Sequence, residues 1–264
     1  MPGGDRQSLE TPSSAPEHGE SPSDPNARLF DEHASSYSDT VNRSIALSGE
    51  DVAYFAQRKV DEVLRWMRAA RVAAPARVLD FGCGTGISTA ALGASLGPEC
   101  AVTGVDVSAE SVRTARELRI ASNLRVVHGS GQSLPFDDAS FDLAFTACVF
   151  HHIERGMHQH WMRELRRVVR PGGLTFLFEH NPLNPLTVRA VRVNPFDEGV
   201  ELLRPRYARN LLASAGFVAE RPRYYFFFPA ALRALRPLEP WLERVPIGAQ
   251  YFVAGRGQES KNAA

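Results

Sequence analysis

The spacing of apolar side chains changes several times along the chain, and each change marks a different kind of element. Within residues 27–70 the spacing is helical. Phe30, Tyr37, Val41 and Ile45 recur at turn-like intervals, and Val52, Phe55, Val60, Val63, Leu64 and Met67 continue the pattern. Short apolar runs then take over. Arg77–Phe81 predicts a strand ending in a glycine cluster, followed by a helix over 86–96. Residues 101–105 predict a second strand, and Ser108 is a natural N-cap for a helix over 109–118. Leu124–His128 and 141–146 predict the third and fourth strands. Met162, Leu165, Val168 and Val169 give one apolar side to a helix over 160–169, which Pro171-Gly172-Gly173 stops before a fifth strand at 174–178.

Strand and helix alternating at this spacing predict a parallel, doubly wound sheet. Beyond it the order changes. Pro182, Pro185 and Pro195 make 181–199 read as loop, and 207–215 reads as a helix ended by Gly216. Residues 217–228 read as a strand pairing antiparallel with 251–255 across a helical insert at 230–244. The expected architecture is α/β: a doubly wound, mostly parallel seven-stranded sheet over 71–256, with an antiparallel C-terminal strand pair and an N-terminal helical cap at 27–70. Residues 1–26, rich in Ser, Pro, Gly and acidic side chains, read as a disordered tail, and 257–264 as a frayed one.

Composition narrows the function classes. The 264 residues carry 30 Lys+Arg against 30 Asp+Glu, so the basic excess of a nucleic-acid binder is missing and no nucleic-acid partner is expected. Cys83, Cys100 and Cys148 form neither a C-x-x-C pair nor a zinc spacing, so neither a disulfide framework nor a metal site is expected. The sequence shows no signal-like N-terminus and no apolar run of spanning length, which predicts a soluble, cytoplasmic protein. Nothing here indicates an oligomeric state.

The candidate chemistry begins at the first strand. Asp80 ends it, and Gly82, Gly84 and Gly86 follow, letting backbone approach a ligand where side chains would collide. Asp106 stands twenty residues after Gly86 (106 − 86), at the end of the second strand, where a carboxylate can accept hydrogen bonds from both hydroxyls of a ribose. Together these features predict a nucleoside site.

The same residues resemble the first two motifs of class I S-adenosylmethionine-dependent methyltransferases, Asp80-Phe81-Gly82-Cys83-Gly84-Thr85-Gly86 and Gly104-Val105-Asp106-Val107-Ser108. Leu134-Pro135-Phe136, Phe141-Asp142-Leu143, Phe150-His151-His152-Ile153 and Arg170-Pro171-Gly172-Gly173 resemble later landmarks of that family, in order. The resemblance runs from about Arg77 to Glu179 and implies S-adenosylmethionine as cofactor. It implies that Gly82, Gly84 and Gly86 approach the methionine part, Asp106 holds the ribose and Val107 flanks the adenine. Ser130, beside Gly131, stands where the family often has an Asp on the adenine amino group; Thr146 would lie near the sulfonium. Tyr37, in the helical cap, is a further candidate contact for the cofactor.

Methyl transfer from a sulfonium is a direct displacement that depends on alignment. A hydroxyl acceptor also benefits from a base, and His151 and His180 follow strands whose carboxyl ends face the ligand edge of such a sheet. Both are candidate catalytic residues. The neutral charge and the aromatic run Tyr224-Tyr225-Phe226-Phe227-Phe228 predict a small apolar or aromatic acceptor. These rings, with Leu232, Leu235, Leu238 and Trp241 of the insert, are candidate pocket walls. Two alternatives stay open. One is a cofactor-binding module without catalysis. The other is a nicotinamide-dependent oxidoreductase, disfavoured by G-x-G-x-G in place of G-x-G-x-x-G and by the lack of a Tyr-x-x-x-Lys pair at Lys59 or Lys261.

Overall fold

The computed structural model describes residues 30–31, 37–117 and 122–259. The expected tail at 1–26 lies outside them, as do 260–264. The sheet runs β3 (Leu124–His128), β2 (Ala101–Asp106), β1 (Arg77–Phe81), β4 (Phe141–Ala147), β5 (Val169–His180) and β8 (Gln250–Gly257), with β6 (Phe217–Ala219) and β7 (Arg223–Tyr225) beyond. The first five positions are parallel, and β8 is antiparallel to β5.

Eight strands fill seven positions, because β6 and β7 both pair antiparallel with the free edge of β8. Their registers, Ala219↔Gly255 and Arg223↔Phe252, differ by one residue, which is a bulge around Pro222. Proline has no N–H to give a ladder, so the expected continuous strand over 217–228 breaks there. It ends early as well, at Phe226, whose φ of 59° turns the chain out of the sheet. The C-terminal strand, by contrast, outlasts the expectation and is still paired at Gly257.

Side chains alternate across the sheet and build two cores. On one face Val78, Phe176, Phe178, Phe252 and Ala254 pack with Val60, Val63, Trp66 and Met67. The last four lie on α2 (Val52–Ala69), the helix after α1 (Tyr37–Ser44). On the other, Leu79, Leu177, Tyr251 and Val253 pack with Met162 and Leu165 of α5 (His158–Val168) and with Leu211 and Leu212 of α7 (Pro205–Ser214). Helix α3 (Ile87–Leu96) follows the glycine loop, and α4 (Ala109–Glu117) follows β2. Ser108 caps α4 as its sequence indicates, accepting from Ser111 N–H at 3.0 Å.

The stretch expected to be loop at 181–199 contains α6 (Pro185–Val193) and a 3-10 turn, Pro195–Asp197. Its prolines start helices rather than prevent them. Pro185 occupies the first turn, where its missing N–H is not needed, and Asn184 accepts from Thr187 N–H at 3.0 Å as the N-cap. The insert forms a 3-10 helix, Ala230–Leu238, and the short α8 (Glu239–Leu242). No helix of the described residues is long and apolar enough to cross a membrane.

Candidate active site

The strand order reverses between β1 and β4, and a crevice opens at their carboxyl ends, where parallel sheets bind ligands. Phe81 pairs with Thr146, so the glycine loop and the chain leaving β4 depart side by side. Gly82 has φ +74°, and a Cβ there would meet the Val149 γ-carbons at 2.4 and 2.8 Å. Cys148 also holds a left-handed φ of 59°, which a side chain rarely adopts, and its N–H is bonded to Phe178 O at 2.9 Å.

The crevice has two lobes with a common wall. One is lined by Gly82, Gly84, Asp106, Val107, Gly129 and Gly131. Asp106 Oδ2 accepts from Gly84 N–H at 2.7 Å and Oδ1 from Ser108 N–H at 2.9 Å, tying the glycine loop to the end of β2. Burial raises the Asp106 pKa, while these N–H groups oppose the rise. Asp80 lies beneath the loop, outside the lobe lining, and accepts from Thr89 Oγ1 at 2.7 Å. Burial pushes its carboxyl up to about 7. Gly86 is the N-cap of α3 in left-handed conformation. Ser130 is exposed, its Oγ accepting from Gln132 N–H at 3.4 Å, and Gly129 and Gly131 line the lobe instead. Thr146 is fully buried, its Oγ1 without a hydrogen-bond partner among the described residues, while its neighbours Ala147 and Cys148 face the lobes. Tyr37 opens α1, but its side chain lies outside the described residues.

The second lobe shares Phe30, Gly82, Gly84, Ala147, Cys148 and His152 with the first. Its own walls are apolar, from Val41, Ile45, Val52, Phe55 and Val191, and its floor is polar, from Lys59, His151, His180, Asp197 and Gln250. Both predicted catalytic histidines are brought here, with ring centroids 5.2 Å apart. His151 Nδ1 lies 2.6 Å from Glu179 Oε2, and Phe150 N–H donates to the other oxygen at 3.0 Å. Burial disfavours a charge on His151, but the Glu179 carboxylate and then Asp197 outweigh it and raise its pKa well above the usual value. Burial and the His151 charge lower His180 to about 4. Tyr225 donates to Gln250 Oε1 at 2.7 Å, which turns Gln250 Nε2 toward His180 Nδ1 at 3.3 Å. In this chain of bonds Nδ1 is the acceptor, so a neutral His180 carries its proton on Nε2.

Lys59 and Asp197 were not foreseen. Lys59 is 7% exposed and burial lowers its pKa; its ammonium lies 3.5 Å from Phe55 O and 5.9 Å from the centre of the Phe55 ring. A signal for it existed, since Phe55, Ala56, Lys59, Val60 and Val63 share one helix face and lysine interrupts an apolar stripe. Asp197 had none, because α6 and its 3-10 turn are what carry it to the histidines. The insert leucines and Trp241 are exposed (Trp241 79%) and line neither lobe, so they do not form the expected pocket wall. Within the aromatic run, Tyr225 joins the core and Phe226 packs on Phe55 at 4.3 Å between centroids.

Phe30 lines the crevice, and Asp31 beside it is tied to the start of α4. Phe30 stacks on Phe196 at 5.7 Å and meets His152 edge-on at 5.2 Å, while Asp31 accepts from Ser108 Oγ at 2.7 Å and Glu110 N–H at 3.0 Å.

Part of the chain is similar to known methyltransferases. Residues 78–173 match the family model described as a methyltransferase domain. That stretch, the glycine loop to the start of β5, is therefore similar to a methyltransferase domain, and the mostly parallel sheet around it is Rossmann-like. It is 32% identical over 130 residues to demethylmenaquinone methyltransferase of Staphylococcus aureus, covering 49% of this chain and 53% of that one. The chain thus spans about half the length of the curated relatives it matches. The fold is shared with an S-adenosylmethionine-dependent methyltransferase from Thermotoga maritima (17% identical, 88% of this chain, 99% of that chain, TM-score 0.60). It is also shared with the [4+2]-cyclase SpnF (18% identical, 77% and 81%, TM-score 0.53). One fold carries more than one reaction, so the chemistry rests on the site.

Proposed function

We propose that the protein transfers a methyl group from S-adenosylmethionine to the ionisable hydroxyl of a small acceptor that is apolar or aromatic in body. The observation that carries this reading is the pair of lobes with a common wall at the carboxyl ends of β1 and β4. The first lobe suits the cofactor: Asp106 offers a carboxylate to a ribose diol, and Gly84 leaves open space where a side chain would intrude. When bound, S-adenosylmethionine supplies an electrophilic methyl group on a sulfonium.

The remaining work falls to this chain's side chains. The apolar walls of the second lobe hold the acceptor body and exclude water. The Lys59 ammonium and the His180 Nε2–H face the hydroxyl and favour its deprotonated form. His151, held in its charged form by Glu179 and Asp197, adds positive charge beside them, so the acceptor is held as its anion, its proton lost to solvent on binding. Similarity to a demethylmenaquinone methyltransferase supports a small-molecule acceptor.

Calorimetry with S-adenosylmethionine, S-adenosylhomocysteine and NADH, then turnover on a panel of phenols, enols, carboxylic acids and amines, tests the reading. Tight binding of both adenosyl compounds and methylation of phenols or enols is expected. Lys59→Met should raise KM for these acceptors about tenfold or more, the scale of one interaction with a charged group, without changing cofactor affinity. Binding of NADH alone, or methylation confined to amines, would overturn it. Cofactor binding without turnover would favour a non-catalytic module.

A further inference from the structure

We propose that His151, His152 and Asp197 form a binding site for a divalent transition-metal ion at the floor of the second lobe. Asp197 Oδ1 lies 3.4 Å from His151 Nε2 and 3.3 Å from His152 Nε2, and the three residues' ligand atoms fall within 4.8 Å of one another. Donors around a tetrahedral ion with bonds of about 2.1 Å sit about 3.4 Å apart. Two edges of the cluster already have that length.

The groups behind the donors point the same way. Glu179 occupies His151 Nδ1 at 2.6 Å and so directs Nε2 into the cluster. Asn194 Nδ2 donates to Asp197 Oδ2 at 2.7 Å, leaving Oδ1 turned toward the histidines. A carboxylate behind a ligating imidazole and an amide behind a ligating carboxylate are the outer partners that orient metal ligands. His151 Nε2 is buried without a hydrogen-bond partner among the described residues. Its nearest partner is Asp197 Oδ1 at 3.4 Å, a separation that suits two ligands of one ion better than a hydrogen bond.

Two imidazoles and one carboxylate favour zinc, iron(II) or cobalt(II) over magnesium or calcium, which prefer oxygen donors. Three protein ligands leave a position open toward the lobe, where a water or an acceptor oxygen can bind. The expectation of no metal site came from cysteine spacing. Here the ligands are a His-His pair and an aspartate 45 residues later (197 − 152), which no spacing motif records. This inference does not depend on methyl transfer being the reaction.

The test titrates metal-stripped full-length protein with Co2+ near neutral pH, followed by calorimetry and visible absorption. One ion per chain and d–d bands of mixed nitrogen and oxygen coordination are expected. His152→Ala and Asp197→Asn should abolish saturable binding, and Glu179→Gln should weaken it about 10- to 100-fold. His128→Ala, outside the cluster, should bind as the unaltered protein does. Should a ligand variant fail to fold, proton NMR of the unaltered cobalt form decides, through hyperfine-shifted imidazole N–H signals from two histidines. Absence of saturable binding, full-strength binding by Asp197→Asn, or signals from a single histidine would each reduce the cluster to an ion pair and overturn the assignment.

Discussion

Asp106→Asn separates holding the cofactor from holding the fold. The asparagine keeps the shape of the side chain but turns one acceptor oxygen into an NH2 group. Whichever way the amide is turned, that NH2 meets a donor, because Gly84 N–H sits 2.7 Å from one oxygen and Ser108 N–H 2.9 Å from the other. The variant also loses one charged acceptor for the ribose. A hydrogen bond to a charged group contributes about 1.5–3 kcal/mol. At about 1.4 kcal/mol per tenfold, the Kd for S-adenosylhomocysteine should rise about 10- to 150-fold. Stability should move less. Burial has raised the Asp106 pKa, so its charge costs folding free energy, and removing that charge offsets the damaged loop contact. Calorimetry for Kd and a thermal melt of the ligand-free protein read the two effects apart. An unchanged Kd in a variant with an unchanged melt would show that Asp106 does not carry the ribose.

Two further outcomes follow from the same loop. Asp80 has its pKa raised from 3.8 to about 7 by burial, so the native state binds the extra proton between those values. Stability therefore falls as pH rises through that window, by ~4 kcal/mol once the group is fully charged. Asp80→Asn should match the unaltered protein near pH 4 and exceed it above pH 7 by an amount of that order; denaturant unfolding at both ends checks it, and parallel pH curves would refute it. Gly82→Ala places a Cβ against Val149 at 2.4 and 2.8 Å with φ at +74°, and overpacking of this kind costs about 1–3 kcal/mol. Adding Val149→Ala should restore the part due to collision and leave the part due to φ, as a double-mutant unfolding cycle measures.

What the sequence reveals here is what lies close along the chain. The glycine loop and the Ser108 cap work through backbone within a few residues of themselves, and Asp106, whose carboxylate reaches back to Gly84 N–H, is marked by its fixed distance from the loop. The alternating strands are equally plain because both faces of the sheet are buried. The misreadings come from proline. Pro185 looks like a helix breaker in a run of prolines, and only its place after Asn184 makes it a helix start. Pro222 was read through as strand, although it cannot donate to the ladder. The acceptor lobe is the least legible part. Lys59, His151, His180, Asp197 and Gln250 come from α2, the ends of β4 and β5, the turn after α6 and the start of β8, and nothing local links them.

Phe30 belongs to both lobes at once, and this ties the two ligands together thermodynamically. A ligand in either lobe that holds the ring against Phe196 and His152 bears the entropy of fixing it, and the second ligand is then spared that cost. Cofactor and acceptor should each tighten the other's binding by the same factor, since such linkage is reciprocal. Phe30→Ala would leave each ligand its own contacts and abolish the synergy.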